Sequence, residues 1–333
     1  MRIASLVFAL ATLIPGVSGA QTVSQDRLRA AAAKSLTLLE QTSPTFIQKG
    51  GCNSCHNQML PATAQAFARS RGVPTGAPIA QLPPEVSENT TERYVEYAIG
   101  GGGGIAGLAF ELFGYAQTNR PADARTHAAI YYIKGEQQPD GHWRGGGSRP
   151  PLTFDDFTPT ALMIRALDTY APAVDAADTK ARIARARAWL GTARAERMQE
   201  HAFKVLGLAW SKAELAAIQA AVKGLRGLQA AGGGWSQLPT LQPDAYATGL
   251  ALYAMYVGGV AASDPAYQSG LQYLLSTQAG DGTWHVKTRA LPIQPYFESG
   301  YPYEHDQWIS AAGAAYATMA ISAAIDEPRS ASR

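Results

Sequence analysis

Three copies of one short segment constrain the fold of this chain more than any other feature. Each copy begins with Gln and ends, six positions later, in Gly-x-Trp: Gln137 to Trp143, Gln229 to Trp235 and Gln278 to Trp284. The Trp residues are 92 (235 − 143) and 49 (284 − 235) positions apart. A unit of about 46 residues therefore repeats along the chain, with one degenerate copy between the first two.

Each copy lies between a polar helical pattern and a nearly apolar one. The pattern Ala245 to Val257 is apolar on all sides, and helices of that kind are buried. The patterns before the copies carry Lys, Arg and Gln, which are typical of an outer layer. The predicted pairs are Arg27 to Glu40 with Leu60 to Arg71, Thr91 to Ile99 with Ile105 to Tyr115, Arg125 to Lys134 with Pro159 to Tyr170, Ala181 to Ala193 with His201 to Trp210, Leu215 to Leu228 with Ala245 to Val257, and Ala266 to Ser276 with Gln307 to Ala324. We predict an all-α fold, an α/α toroid of about six helix pairs in a single domain.

The repeated segments resemble the QW motifs of the squalene–hopene cyclase and protein prenyltransferase superfamily, and the resemblance covers roughly residues 27–325. In that superfamily the motifs are structural, because the Gln satisfies a helix end and stacks on the Trp. The chain has room for one toroid, whereas the cyclases have two toroid-like domains. The resemblance implies that six residues tie neighbouring outer helices together: Gln137, Trp143, Gln229, Trp235, Gln278 and Trp284.

The acid motif of class II terpene cyclases is incomplete in this chain. Those enzymes protonate their substrate with the middle Asp of Asp-x-Asp-Asp, and the nearest string here is Thr153-Phe154-Asp155-Asp156. Asp155 or Asp156 can instead cap a helix that opens at Thr158-Pro159, since Asp is favoured at N-caps and Pro in the first turn. Helix cap and catalytic acid both stay open as roles for this pair.

The two cysteines of the chain belong to one motif, Cys52-Asn53-Ser54-Cys55-His56. This is the C-x-x-C-H pattern of c-type haem attachment. Two thiols add to the vinyl groups of the haem, and the adjacent imidazole binds the iron. We expect a covalent haem c held by Cys52, Cys55 and His56, with His56 as the metal ligand. A Cys52–Cys55 disulfide and a zinc site with further ligands are the alternatives.

The first twenty residues predict export. Arg2 precedes the apolar run Ile3 to Ile14, Pro15-Gly16 breaks the run, and Ser18-Gly19-Ala20 offers small residues for cleavage. This pattern is typical of a secretory signal peptide over residues 1–20, since a membrane span needs about 20 apolar residues. We expect a periplasmic or secreted protein, which suits the haem interpretation because bacterial haem c is attached outside the cytoplasm.

A loop before the last inner helix gathers aromatic and polar side chains between Tyr296 and Trp308. Loops in that position open towards the mouth of a toroid, which predicts the rim of a binding site for an apolar ligand. A surface loop with Asp306 as a helix N-cap is the alternative. The predicted rim residues are Tyr296, Phe297, Glu298, His305, Asp306 and Trp308.

Composition narrows the possible partners. The chain has 28 Lys+Arg against 26 Asp+Glu and no dense basic tract, so we expect no nucleic-acid partner. No segment after the signal predicts a stable membrane span. The leading hypothesis is an exported c-type haem protein with a redox or electron-transfer role, a redox partner protein and an apolar, isoprenoid-like ligand. A haem-free cyclase-like enzyme or binder of isoprenoid lipids, and an interaction scaffold, are the alternatives.

Overall fold

A computed structural model describes residues 22–50, 54–79, 90–97, 104–147, 149–291 and 298–327. In these ranges the chain forms twelve α-helices and no strand, which confirms the predicted all-α toroid of six helix pairs. The predicted signal segment, residues 1–20, lies outside the described residues, as do Cys52, Tyr296 and Phe297.

The helices alternate between an outer and an inner ring. The outer helices are α1 (Gln25–Gly50), α3 (Thr91–Val95), α5 (Ala124–Glu136), α7 (Ala176–Thr192), α9 (Leu215–Arg226) and α11 (Pro265–Thr277). The inner helices are α2 (Leu60–Ser70), α4 (Gly104–Gln117), α6 (Phe157–Tyr170), α8 (Met198–Trp210), α10 (Ala245–Val257) and α12 (Gln307–Ala323). Each inner helix packs on the next one in the chain, and α12 returns to α2, which closes the inner ring.

The inner helices form the core because they are apolar on nearly every face. In α12 every residue except Trp308 is buried. The outer helix α7 has the same length but buries only Thr179, Ala186 and Leu190. The predicted inner positions of residues 245–257 and 307–324 are therefore confirmed. Within the described ranges, no helix combines the length and the apolar character needed to cross a lipid bilayer.

The three Gln-to-Trp segments fold alike. Each indole N–H donates to a carbonyl of the preceding outer helix; the acceptors are Ile133, Leu225 and Leu274, at 2.6, 2.9 and 2.9 Å. Each Gln side-chain amide donates to the carbonyl of the segment's own Gly and to a carbonyl of the next outer helix. The latter acceptors are Arg182, Ala266 and Ala31, at 3.0, 2.8 and 3.1 Å. Each Gln thus joins two neighbouring outer helices.

Backbone conformation and lack of space both require a glycine in each segment. Gly141, Gly233 and Gly282 have φ angles of 107°, 87° and 94°, in the region that side chains disfavour. A Cβ at these positions would also lie 2.5, 2.4 and 2.7 Å from atoms of the next outer helix. The Gly in the Gly-x-Trp pattern therefore lies in a turn whose backbone packs directly against the next outer helix.

The same segments connect the outer ring to the inner one. A hydroxyl at the fourth residue of an inner helix accepts a hydrogen bond from the backbone N–H of the segment. Thr160 and Thr248 bind the N–H of Trp143 and Trp235 at 3.0 and 2.9 Å. In the third segment Ser310 binds the N–H of Val286, two residues after Trp284, at 3.0 Å. Each segment therefore sets where the following inner helix begins.

The last segment closes the ring on the first helix. Gln278, which follows α11, donates to the Ala31 carbonyl of α1. The Val23 N–H donates to the Gln268 side chain of α11 at 2.9 Å. Thr318 of α12 donates to Ser35 of α1 at 3.0 Å.

Replacing Gln278 with Ala should weaken this closure. The change removes two bonds from the side-chain amide, one to Gly282 and one to Ala31. We expect a loss of about 1–3 kcal/mol in the free energy of unfolding, measured by urea denaturation. Gln138→Ala is the matched control, because the Gln138 amide donates only to Glu136, two residues away. That variant should stay within about 0.5 kcal/mol of wild type, and equal losses in both would contradict the closing role of Gln278.

Candidate functional site

The second residues of four inner helices lie at one end of the toroid. They are Thr158 of α6, Gln199 of α8, Tyr246 of α10 and Trp308 of α12. Because the repeats share one register, equivalent positions of successive helices face a common space. Polar and aromatic side chains meet at these positions of mostly buried helices, so this end of the ring is the candidate functional site.

A buried chain of hydrogen bonds connects three of these residues to Asp155. The Gln199 amide donates to the Asp155 carboxylate at 3.0 Å and to the Thr158 hydroxyl at 2.9 Å. The Tyr246 hydroxyl donates to the Gln199 amide oxygen at 2.6 Å. Tyr246 also packs edge-on against Tyr316, with ring centroids 5.3 Å apart. Three neighbouring repeats thus contribute to one polar network inside an apolar core.

The C-x-x-C-H motif reaches the same end of the ring. Burial, followed by the charges of Tyr316, Asp155 and Cys55, raises the pKa of Tyr246 well above its ordinary value. Burial raises the pKa of Tyr316 well above its ordinary value, and the charges of Cys55 and Asp155 contribute to this rise. The Cys55 side chain, which is half-buried against the core, therefore lies within electrostatic reach of the Asp155 network.

A short π-helical turn, Cys55–Met59, positions the motif between α1 and α2. Ser54 caps this turn, since its hydroxyl accepts from the Asn57 N–H at 2.9 Å. The Gln58 amide ties the turn to α1 by donating to the Ser43 carbonyl at 2.9 Å. The turn follows an outer helix and precedes an inner one, which is the place that the Gln-to-Trp segments hold in other repeats.

His56 is buried between two aromatic rings. Its centroid lies 5.4 Å from that of Phe46 and 5.6 Å from that of Trp308, both in edge-on geometry. Burial, with a smaller contribution from the charge of Arg149, lowers the pKa of His56 to about 3. The imidazole is therefore neutral at physiological pH, which is the form that binds metals.

The nitrogens of His56 fit the role of an axial ligand to haem iron. Nδ1 lies 2.8 Å from the Asn57 side-chain amide, whereas Nε2 is buried without a hydrogen-bond partner among the described residues. The Asn57 amide nitrogen faces Nδ1, so in this orientation Nδ1 accepts its N–H and the ring proton is on Nε2. A 180° flip of the amide would let Nδ1–H donate to the Asn57 oxygen and leave the lone pair of Nε2 for a metal. In the described ranges, no group of three or more His, Cys, Asp or Glu side chains is placed to hold a metal ion.

A cavity of about 280 Å³ opens beside the Asp155 network. Pro151 and Met198 are buried in its wall, and the exposed ring of Phe154 lies at its edge. The volume is close to the lower end of the range for ligand pockets, about 300–1,000 Å³. Its other lining residues are Pro150, Asp155, Arg197, Gln199, Gln237, Leu238 and Arg289.

The carboxylates of Asp155 and Asp156 make different contacts. Asp155 accepts from the Thr158 N–H at 2.7 Å at the start of α6, and burial raises its pKa to about 6. Asp156 accepts from the Gly145 N–H at 2.7 Å and lies 3.6 Å from His142. Asp155 thus combines a cap bond with a position on the cavity, while Asp156 fastens the first Gln-to-Trp segment to α6.

The predicted rim residues disperse in the structure. Glu298 and His305 are exposed, and the Glu298 carboxylate accepts from the nearby Gly300 N–H. Asp306 immediately precedes α12, but its carboxylate binds the Thr288 N–H at 2.8 Å and His285 at 2.7 Å rather than capping the helix. Trp308 meets another predicted site residue, His56.

Sequence reasoning missed Gln199, Tyr246, Gln237 and Arg289. The first two carried a signal, since each is a polar residue at the second position of an inner helix. Gln237 follows Trp235 by two residues, and Arg289 lies in an irregular segment without a recognisable pattern. Only the folded arrangement shows that Gln199, Gln237 and Arg289 line the cavity and that Tyr246 bonds to Gln199.

Enzymes of different kinds share this fold. The type II terpene cyclase MstE from Scytonema, in complex with geranylgeranyl dihydroxybenzoate, superposes with a TM-score of 0.54 at 12% identity, over 90% of this chain and 98% of that chain. A protein from Actinoplanes gives 0.55 at 14% identity, over 87% and 99% of the two chains. A glycosidase gives 0.56 at 11% identity, over 90% and 98%. The toroid is therefore terpene-cyclase-like in fold. Neither a protein-family model nor a curated protein matches this sequence.

Protonation of Asp155 should stabilise the folded chain. Because burial raises the pKa of Asp155 to about 6, the folded state binds a proton at a higher pH than the unfolded state. Its contribution to stability therefore grows as pH falls from 7 to 5, by about 1 kcal/mol. Asp155→Asn should lose this contribution, so the free energy of unfolding of the wild type minus that of the variant should rise by about 1 kcal/mol from pH 7 to pH 5.

The comparison with Asp155→Asn isolates this effect from histidine titration. The low pKa of His56 acts in the opposite direction, since its folded state resists protonation below about pH 6.5. Burial also raises the pKa of Asp244 to about 6. The free energy of unfolding of the wild type minus that of the double variant Asp155→Asn with Asp244→Asn should therefore rise more between pH 7 and pH 5 than it does for Asp155→Asn alone. A wild-type-to-variant difference that is constant from pH 7 to 5 in urea denaturation would refute the assignment.

Proposed function

We propose that this chain is an exported c-type haem protein, in which Cys52 and Cys55 attach the haem and His56 is the proximal ligand. The observation that carries the proposal is the buried Nε2 of His56, which has no hydrogen-bond partner among the described residues. Leaving a buried polar group unpaired costs about 1–3 kcal/mol, and coordination to iron would remove that cost. The bound haem would supply one-electron chemistry.

The surrounding residues prepare the imidazole for this role. Phe46 and Trp308 hold the plane of the ring from two sides. Burial keeps His56 neutral, so protons do not compete with iron above about pH 3. With its amide flipped by 180° from the present orientation, Asn57 would accept the Nδ1 proton and leave Nε2 for the metal. The predicted signal peptide would deliver the chain to the compartment where haem c is attached, and a redox protein there would be its partner.

Covalent haem can be tested directly. The full chain, produced with the c-type maturation machinery, should show Soret and α bands and keep its haem through denaturing electrophoresis. Cys52→Ser with Cys55→Ser should abolish the haem stain. His56→Ala should retain part of the covalent haem and shift the absorption bands, because the iron loses its protein ligand. The signal is checked on the same sample, since mass spectrometry should find a chain that begins at Gln21.

His305→Ala is the matched control, because His305 is exposed and lies outside the motif. Its spectrum should equal that of the wild type. Colourless, fully matured protein that contains either free thiols or a Cys52–Cys55 disulfide would overturn the haem proposal.

A second candidate function is binding of an apolar ligand in the cavity, with Asp155 as an acid. The observation that favours it is a carboxyl with a pKa of about 6 on the wall of a largely apolar cavity. Class II terpene cyclases, which this chain resembles, use the middle Asp of Asp-x-Asp-Asp as the acid, whereas here Thr153 replaces the leading Asp and the pair lies three residues earlier relative to the helix. Gln199 and Thr158 would position the Asp155 carboxyl, and the fold shared with MstE supports an isoprenoid-like ligand.

The variant Asp155→Asn distinguishes the role of Asp155 as an acid from its role as a helix cap. Asn keeps an oxygen that can accept from the Thr158 N–H but provides no acidic proton. If Asp155 acts only as a cap, the folded variant should bind and turn over any ligand as the wild type does. Loss of turnover with unchanged ligand affinity would assign Asp155 as the acid.

A further inference from the structure

Arg289, on the wall of the cavity, forms no direct ion pair with a carboxylate of the described residues. The Nε of Arg289 donates to the Gln237 amide oxygen at 2.8 Å. No carboxylate of the described residues forms an ion pair with Arg289, and no hydrogen bond to its two Nη atoms occurs within those residues. The side chain is half-buried, so its charge is only partly solvated. An arginine with two unused nitrogens is suited to bind both oxygens of a carboxylate or phosphate.

The other charged groups of the mouth are already engaged. Arg197 pairs with Glu200 at 3.4 Å. The Asp155 and Asp244 carboxylates accept from N–H groups at the starts of α6 and α10, Thr158 and Ala247, at 2.7 and 2.8 Å. Gln237 connects Asp244 to Arg289, since its amide N–H donates to Asp244 at 2.9 Å and its oxygen accepts from the Nε of Arg289. The two Nη atoms of Arg289 stay without a partner among the described residues.

The rest of the wall suits a hydrocarbon chain. The apolar lining consists of Pro150, Pro151, Phe154, Met198 and Leu238. Arg197 covers the Phe154 ring, with its guanidinium carbon 5.3 Å from the ring centroid. A ligand that fills the cavity therefore needs an apolar body and an anionic end that reaches Arg289.

We infer that this cavity binds a single-chain amphiphile with a carboxylate head group, which pairs with Arg289 while its hydrocarbon chain lies against the apolar wall. The inference rests on the second candidate function, binding of an apolar ligand, and assigns that ligand its chemical class. One guanidinium with two Nη atoms that lack partners among the described residues matches the two oxygens of one carboxylate. A diphosphate head group would bring several negative charges close to Asp155 and Asp244, which opposes its binding.

Three probes with the same chain test this inference: dodecanoate, 1-dodecanol and dodecyl phosphate. Isothermal titration of the purified full chain should show dodecanoate binding about tenfold tighter than dodecanol, because a hydrogen-bonded ion pair adds to the same apolar contacts. Dodecyl phosphate should bind more weakly than dodecanoate. This comparison in the wild type requires no variant and therefore stands even if a substitution prevents folding.

Arg289→Gln should weaken dodecanoate binding about tenfold or more and leave dodecanol affinity within about twofold. Arg194→Gln is the matched control, since the Arg194 side chain is 88% exposed and is absent from this cavity's lining. It should change neither affinity. Circular dichroism checks that both variants are folded.

The outcomes separate the inference from the function on which it rests. Equal affinities for dodecanoate and dodecanol in the wild type would overturn the carboxylate assignment and leave the apolar cavity intact. Tighter binding of dodecyl phosphate would overturn it in favour of a phosphorylated ligand. Absence of binding by all three probes would overturn both the inference and the apolar-ligand function.

Discussion

The Gln side chain that bridges two outer helices is the interaction on which the rest of this structure depends. Its amide has two N–H groups, and each binds one carbonyl, one in its own turn and one in the next outer helix. This fixes the spacing of successive repeats. The same turn also binds a hydroxyl at the fourth residue of the inner helix, as in Thr248 with Trp235. The outer bridge therefore sets the height at which α6, α10 and α12 begin, the three inner helices that follow such a segment.

The candidate site follows from that common height. When equivalent helices begin at the same level, their second residues come together, although they are separated by about one repeat in the sequence. Gln199 can therefore contact Asp155 from one neighbouring helix and Tyr246 from the other. The structural segments and the functional residues are thus parts of one arrangement, and a change in the first would displace the second.

Much of this arrangement could be predicted from the sequence, because it depends on local chemistry. Residues 245–257 form α10 as the apolar run indicates, and the Gly-x-Trp copies mark each turn. The polar network could not be predicted, because it depends on which side chains meet across repeats. Gln199 and Tyr246 are 47 positions apart, and no property of either residue alone identifies its partner.

Asp306 illustrates the same limit at a single residue. An Asp directly before a helix is typical of an N-cap, and Asp306 does precede α12. Its carboxylate instead binds Thr288 and His285, which belong to the turn that follows the third Trp. Asp156 makes the equivalent contact with Gly145 in the third repeat. The competing donors, Thr288 and His285, lie about 20 residues earlier in the chain. The sequence around Asp306 therefore cannot predict them.

A closed ring has a mechanical consequence that open helical arrays do not share. In a linear array the outermost repeats have one neighbour each, so unfolding can start there and spread inward. Here α12 packs on both α1 and α2, and Gln25 of α1 exchanges hydrogen bonds with Ala324 and Asp326 beyond α12. Every repeat has two neighbours, and none is an end from which the array can fray. Loss of any one repeat would open the whole circle, so the six pairs are expected to persist or melt together.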